Sequence, residues 1–362
     1  MTDVYCIGGG MVTPVGNTPR ELIRAVREGR SVLRLHPGFP EPFMASLLER
    51  NGYDGPDFFE KMAVEAARKA ITEAGIDVSS PRTGLLLSSI KGRIEAIDYE
   101  DVSLAASARK IADELGFVSR PVVVSNACIS GLAALIQGMR MLRSGNYDYV
   151  VVVGAEVQSR FIVTGFQSLK ALSLNPCKPF DASRDGLNLG EAAAAMVLSS
   201  KMPAGQDVFE LVSGCIRNDA NHISGPSRTG EGSYKALRYV LKDVRPGELA
   251  FVNVHGTATA YNDEMEAIAL DRVGLAEVPV NALKGIFGHT MGAAGILETL
   301  VSMEALREGV VLPTKGFETL GVSRRIQVSN KEKTTQGKAF IKLLSGFGGV
   351  NGALLVRKGG VR

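Results

Sequence analysis

The sequence predicts an α/β fold assembled from two similar halves, and three observations carry that prediction. Apolar β-rich runs alternate with helix-forming runs along the chain. A shift of 164 positions lays the helix-forming run at Cys128 over the one at Gly292, pairing Gly131 with Gly295, Met139 with Met303, Leu142 with Leu306, Arg143 with Arg307 and Gly145 with Gly309. Each half also ends in a Gly-rich segment that leads into a strand, 186–193 and 346–353. The alternative is chance agreement among common helix residues. The flanking elements repeat in the same order, which favours duplication. The halves are expected at residues 1–204 and 205–362, joined through Lys201-Met-Pro-Ala-Gly-Gln206.

In chain order, β-branched and apolar runs predict strands over 85–88, 122–125, 150–153, 194–198, 209–212, 249–254, 278–281, 339–344 and 353–356. Helical runs cover 19–28, 58–74, 104–115, 129–143, 233–241, 263–270 and 292–307. Gly75, Gly116, Gly145 and Gly309 stand where helices close in the left-handed conformation. Residues 29–57 carry Pro and Gly with mixed periodicity and read as an irregular excursion.

Composition narrows the function. A chain of 362 residues with 45% hydrophobic content has ample material for a large core. A net charge of +3 with 22% charged residues gives neither a nucleic-acid footprint nor a polybasic membrane tether. The N-terminal residues lack a charged leader or an apolar signal core, and no apolar run reaches spanning length, so a cytoplasmic protein off the membrane is expected. Cys6, Cys128, Cys177 and Cys215 form no C-x-x-C pair, which argues against structural zinc and fits a reducing compartment. No metal is expected. Gly8-Gly-Gly10 lacks dinucleotide-loop spacing, and the loop Gly225 to Gly230 is followed by Glu231 where a phosphate-binding loop needs lysine. Neither paired carboxylates nor a G-x-S-x-G elbow stands out.

Cys128 is the candidate nucleophile. It sits where the β-branched run of Pro121-Val-Val-Val-Ser-Asn-Ala-Cys stops and a helical run begins. A helix N-terminus favours the thiolate, so its pKa is expected to fall. Position alone favours the alternative, a small buried hydrophobe. Two of the four histidines strengthen the catalytic reading: His255 in Val-His-Gly-Thr-Ala-Thr and His289 in Phe-Gly-His-Thr-Met-Gly both stand at strand ends before small residues. Cysteine chemistry needs a group beside the sulfur that takes or stabilises charge, and such groups converge in space from distant sequence.

Asn-Ala-Cys128-x-Ser-Gly, His255-Gly-Thr-x-Thr and Lys284-x-x-x-Gly-His289-x-x-Gly-Ala-Ala-Gly together resemble the beta-ketoacyl carrier-protein synthases. The likeness extends through Pro179-Phe-Asp-x-x-Arg-Asp-Gly-x-x-Leu-Gly-Glu191, Asp219-x-x-His222 and Gly346-Phe-Gly-Gly-x-Asn351, in order along nearly the whole chain. The resemblance implies a thiolase-like five-layered αβαβα fold of two duplicated halves. It also implies a decarboxylative Claisen condensation between an acyl group on Cys128 and a malonyl thioester. His255 and His289 would donate to the enolate oxygen, each with its tautomer fixed by its other nitrogen. The backbone N–H groups of Cys128 and Phe347 would form the oxyanion hole. Lys284 would hold the network around the histidines, with Glu298 and Asp263 as structural support, although a carboxylate on the otherwise apolar helix of Glu298 more often faces solvent. Thr257, Thr259, Phe347 and Gly348 would contact the substrate arm, with Phe347 as a gate among glycines.

No cofactor is implied beyond the phosphopantetheine of an acyl carrier protein, an acidic partner that a local basic patch would meet. The family is usually dimeric, which implies a homodimer or a heterodimer with a chain-length factor. The stretch before Cys128 is short for the family, which points to a trimmed acyl pocket and sets a specialised role in polyketide, polyene or other secondary-metabolite synthesis beside primary fatty-acid elongation. Two other functions stand beside this one. A thiolase would carry a second cysteine in a C-terminal Cys-x-Gly motif, where this chain has Gly346-Phe-Gly-Gly349. A non-catalytic chain-length-determining subunit usually lacks the nucleophile.

Overall fold

Alternation within single strands builds the layers: Val150 and Val152 of one strand join the central core, while Val151 and Val153 join an outer one. The computed structural model describes residues 2–37, 41–50, 55–97, 101–202, 208–245 and 247–359. The expected junction at 201–206 lies largely outside the described residues.

The first half contains β1 (Tyr5–Val12), α1 (Pro19–Arg27), β2 (Arg34–His36), β3 (Phe43–Ser46), α2 (Phe58–Ala74), β4 (Thr83–Ser88) and α3 (Leu104–Leu115). It continues with β5 (Val122–Val124), α4 (Ser130–Arg143), β6 (Tyr149–Glu156), α5 (Arg160–Ser168), β7 (Leu189–Gly190) and β8 (Ala192–Ser199). The second half has β9 (Val208–Asn218), α6 (Glu231–Val240), β10 (Leu249–Asn253), α7 (Ala260–Arg272), β11 (Pro279–Asn281), α8 (Lys284–Phe287) and α9 (Ala294–Arg307). It ends with β12 (Val310–Val311), β13 (Gln327–Val328), β14 (Lys333–Thr334), β15 (Ala339–Gly346) and β16 (Val350–Gly359).

The main strands run in the order β13-β11-β10-β15-β16-β9-β1-β8-β6-β4-β5. The two sides of this ribbon join where Tyr5 and Cys6 of β1 pair with Glu210 and Phe209 of β9. Each side has the same plan: parallel strands, β5-β4-β6 or β11-β10-β15, followed by an antiparallel one, β8 or β16. Helices α2 and α3 cover one outer face, and α6 and α7 cover the other. Between the sheets lie α4 and α9, which touch each other and both sheets, completing the five layers. The echo in sequence has a structural counterpart, because α4 and α9 are 14 residues each and their ranges coincide under the 164-residue shift. They cross at the aligned glycines: a Cβ on Gly295 would lie 2.1 Å from the backbone nitrogen of Leu132, and one on Gly131 would lie 2.8 Å from the carbonyl of Gly292.

Several elements differ from the sequence reading, among them short pieces at 189–190, 284–287, 310–311, 327–328 and 333–334 that it passed over. The Gly-rich Tyr5–Val12 segment is a strand at the centre of the ribbon, although three glycines suppress β propensity. The 29–57 excursion holds the short antiparallel pair β2–β3, with β3 lying parallel to β7. Helix α5 was not foreseen, since its Val163, Thr164 and Gly165 are weak helix formers; Ser159 caps it by accepting from Ile162 N. The four helix-closing glycines do adopt positive φ. No helix among the described residues is long and apolar enough to cross a membrane.

Candidate active site

Three loops at strand ends deliver the reactive groups. After β5 the chain turns through Ala127, which holds a left-handed φ of 46°. Ser130 stabilises the turn by accepting from Asn126 N at 2.8 Å and donating to the Ala127 carbonyl at 2.6 Å. This puts Cys128 two residues before α4. His255 follows β10, and Glu266 of α7 accepts from its backbone N–H at 2.7 Å and from that of Gly256 at 2.8 Å. His289 follows the single turn α8; its N–H donates to the Asn188 carbonyl at 2.8 Å, and its carbonyl accepts from Gly190 at 3.0 Å. Residues of the first half therefore fix the backbone that carries this imidazole. Left-handed φ at Ala127, Ala258 and Met291 places strained backbone beside all three reactive residues, a pattern typical of functional sites.

Cys128 Sγ and one ring nitrogen each of His255 and His289 all lie within 4.8 Å of one another, and all three residues are buried. The two imidazoles meet edge to face with centroids 5.0 Å apart. Met291 N donates to His289 Nδ1 at 3.3 Å, so the proton of the neutral ring sits on Nε2. Among the described residues His289 Nε2 and His255 Nδ1 are buried without a hydrogen-bond partner, which leaves both free to meet a substrate. Such a trio could also ligate a metal, but the Lys284 and Lys342 charges that bear on both histidines oppose a divalent cation.

Electrostatics corrects one expectation. Burial pushes the Cys128 thiol up to about 12 and outweighs the Lys284 charge and the backbone N–H groups of Phe347 and Cys128, which favour the thiolate. Desolvation exceeds the helix-terminus effect, and the sulfur keeps its proton. The same burial, reinforced first by Lys284, pushes both imidazoles well below the usual histidine range and keeps them neutral.

Beneath the histidines lies a buried ion cluster. Lys284 Nζ donates to the His255 carbonyl and to Glu298 Oε1, both at 2.7 Å. Lys342, in the middle of β15, donates to Glu298 Oε2 at 2.5 Å, Asn253 Oδ1 at 2.6 Å and the Val254 carbonyl at 3.1 Å. Burial works against the Glu298 carboxylate, but the two ammonium groups outweigh it and hold its pKa below the ordinary value. Asp263 accepts from Phe180 N at 2.7 Å and Thr257 N at 3.1 Å, tying down the loop after His255. Glu156, at the end of β6, accepts from Ser89 Oγ, Ile90 N and Gly292 N, joining the first half to the His289 loop.

A cavity of about 470 Å³, within the range of small-molecule sites, opens onto this cluster. Cys128, His255, His289, Thr257, Thr259 and Phe347 line it. The two threonine hydroxyls lie 2.8 Å apart, as their alternation predicts. Phe347 packs on Phe166 with ring centroids 5.6 Å apart. Gly348 is not in the wall, unlike the expectation: its N–H donates to the Ile223 carbonyl at 2.6 Å, while Gly346 and Gly349 face the cavity. Lys284, Glu298 and Asp263 lie behind the wall. Sequence reasoning missed Lys342, Glu266 and Glu156. A usable signal existed for Lys342, because a lysine inside the apolar run 339–344 must find a charged partner if the strand is central.

Comparison with known proteins gives concordant matches. Residues 46–204 match the family model "Beta-ketoacyl synthase, N-terminal domain", and residues 208–318 match "Beta-ketoacyl synthase, C-terminal domain". The chain is 30% identical over 344 residues to 3-oxoacyl-[acyl-carrier-protein] synthase 2 of Rhizobium meliloti, covering 83% of this chain and 81% of that protein. It is also 30% identical over 342 residues to the tetracenomycin polyketide synthase ketoacyl synthase alpha subunit of Streptomyces glaucescens, covering 82% and 80%. Among solved structures, a beta-ketoacyl synthase from Burkholderia phymatum aligns with a TM-score of 0.87 at 25% identity over all of both chains. The ishigamide ketosynthase/chain length factor aligns with a TM-score of 0.88 at 24% identity, over 99% of this chain and 100% of that one.

Proposed function

The chain belongs to the beta-ketoacyl synthase family of thiolase-fold acyltransferases, and on that premise we propose that it is a 3-oxoacyl-[acyl-carrier-protein] synthase that elongates acyl chains by decarboxylative Claisen condensation. The observation that carries this reading is the crowding of one thiol and two neutral imidazoles within 4.8 Å on the wall of a cavity. In this reading the halves divide at 204/205, the first supplying Cys128 and the second His255, Lys284 and His289.

The acyl thioester enters past Thr257, Thr259 and Phe347, and its carbonyl oxygen settles on the N–H groups of Cys128 and Phe347. His289 already uses its Nδ1 as an acceptor, so His255 is the imidazole left to take the thiol proton. The sulfur attacks the carbonyl carbon, the carrier thiolate departs, and the proton passes from His255 to that leaving group. The malonyl thioester then binds with its carbonyl oxygen near both imidazoles. Loss of carbon dioxide leaves an enolate that His289 Nε2–H and His255 stabilise. The enolate carbon attacks the acyl group on Cys128 and regenerates the sulfur. During decarboxylation Lys284 favours the neutral form of both imidazoles, as their donor role requires. The thioesters arrive on an acyl carrier protein, and the protein works as a dimer, with itself or with a chain-length factor, as the names of its relatives and structural neighbours suggest.

Intact-mass measurement after incubation with acyl carrier proteins of graded chain length tests the reading. An acyl adduct that disappears in Cys128→Ala, followed by malonyl-dependent extension, is the expected result. Absence of an adduct with every donor would instead mark a binding subunit.

A further inference from the structure

We propose that Lys342 is a positioning residue that, through Glu298, leaves a net positive charge beneath the two imidazoles and Cys128, favouring the anions formed in the reaction. The inference rests on the proposed role of Cys128 and goes beyond the lysine that the family motif marks, which is Lys284. Glu298 is fully buried, and its two oxygens are divided between two buried ammonium groups, Lys284 on Oε1 and Lys342 on Oε2. A Lys284–Glu298 pair alone would be neutral. The second lysine makes the cluster formally +1. Carrying an uncompensated charge in a dry interior is unfavourable for folding, so its location beside a site that develops negative charge gives it a chemical use.

Geometry also ties Lys342 to the catalytic loop. It bonds the Asn253 side chain and the Val254 carbonyl, the two residues immediately before His255, while Lys284 holds the His255 carbonyl. The groups that face it are Glu298 from α9, Asn253 from β10, Lys284 from α8 and, at longer range, Glu266 from α7. Burial depresses the Lys342 ammonium to about 8, against the attraction of Glu298, so the cluster keeps its extra charge below that pH. Both Lys284 and Lys342 push His255 and His289 toward the neutral form.

The test compares the intact protein with Lys342→Gln, Glu298→Gln and the double variant. Lys342→Gln removes the charge and keeps a polar group near Asn253, whereas the double variant restores the formal +1 on Lys284. Two readouts are used: titration of the histidine resonances by ¹⁵N NMR, and the rate of Cys128 alkylation by iodoacetamide at pH 7, where Lys342 is charged. In Lys342→Gln, protonation of His255 and His289 is expected to begin about one pH unit higher and alkylation to slow about tenfold. The double variant is expected to recover most of both losses. Unchanged histidine titration in a folded Lys342→Gln protein, or a double variant worse than the single one, would overturn the proposal. Should Lys342→Gln fail to fold while the double variant folds, histidine titration in the double variant decides: wild-type-like values support the charge assignment and raised values refute it. None of these readouts requires condensation, so a wild-type protein that alkylates at Cys128 yet never takes an acyl group would defeat the proposed function alone.

Discussion

His289 shows how a backbone contact sets the chemistry of a residue. The Met291 N–H occupies the Nδ1 lone pair and Nε2 carries the ring proton, so this ring has no free nitrogen with which to take the thiol proton. His289→Ala is therefore expected to leave acyl loading of Cys128 largely intact and to slow malonyl decarboxylation by about 10²–10³-fold, the usual effect of removing one preorganised donor. Intact mass reports loading, and release of labelled carbon dioxide reports the second half-reaction. Equal loss in both would contradict the division of labour. Cys128, His255 and His289 were legible because they stand in Gly- and Thr-rich loops at strand ends. The thiol's raised pKa was not legible, since the helix terminus is written in local sequence while desolvation is a sum over residues distant along the chain. Glu266 was hidden for the same reason, its role being defined by partners on another element.

Among the elements, β1 was the principal omission, and its composition has a steric cause. A Cβ on Gly10 would lie 2.1 Å from the Ala66 carbonyl, and one on Gly8 would lie 2.3 Å from that of Ala70. The glycines let α2 lie directly on the strand that joins the two sides of the ribbon, and the alanine-rich face of α2 (Ala63, Ala66, Ala67 and Ala70) completes the close approach. Periodicity rules detect apolar side chains and pass over a strand that is buried because it lacks them. Gly10→Val is expected to destabilise by about 3 kcal/mol or more, because rigid backbone must move. Gly75→Ala meets no atom within 4 Å and suffers only from its φ of 62°, so about 1 kcal/mol is expected. Urea unfolding of the two variants measures the contrast. Equal losses would show that crowding is not why β1 is glycine-rich. The helices were the most legible elements: 58–74 and 104–115 matched to the residue because amphipathic spacing and a closing glycine agree at both.

At the scale of the molecule, the duplicated plan could be read because an internal repeat compares the sequence with itself. What joins the halves could not, since it consists of contacts made across the repeat. Glu156 is one such tie, reaching from β6 to the Gly292 N–H in the His289 loop. Burial raises its carboxyl from the ordinary value to about 7, despite the hydrogen bonds from Ile90, Gly292 and Ser89 that favour the anion. The folded protein therefore holds a proton here that the unfolded chain has already released, so this contribution to stability is fully present below about pH 4.5 and is lost as pH rises through 7. The depressed histidines act oppositely, favouring the folded state as pH rises through their unfolded value near 6.5. A melting curve of the wild-type protein alone would mix the two effects, and Glu156→Gln separates them, because it retains the histidines and removes one titration. Between pH 5 and pH 8 the wild-type protein is expected to lose stability relative to Glu156→Gln by on the order of 3 kcal/mol, whatever the offset between them at pH 5. Denaturant unfolding at the two pH values measures the change. Parallel pH dependences would mean that Glu156 is ionised throughout and that its three donors, rather than desolvation, set its charge.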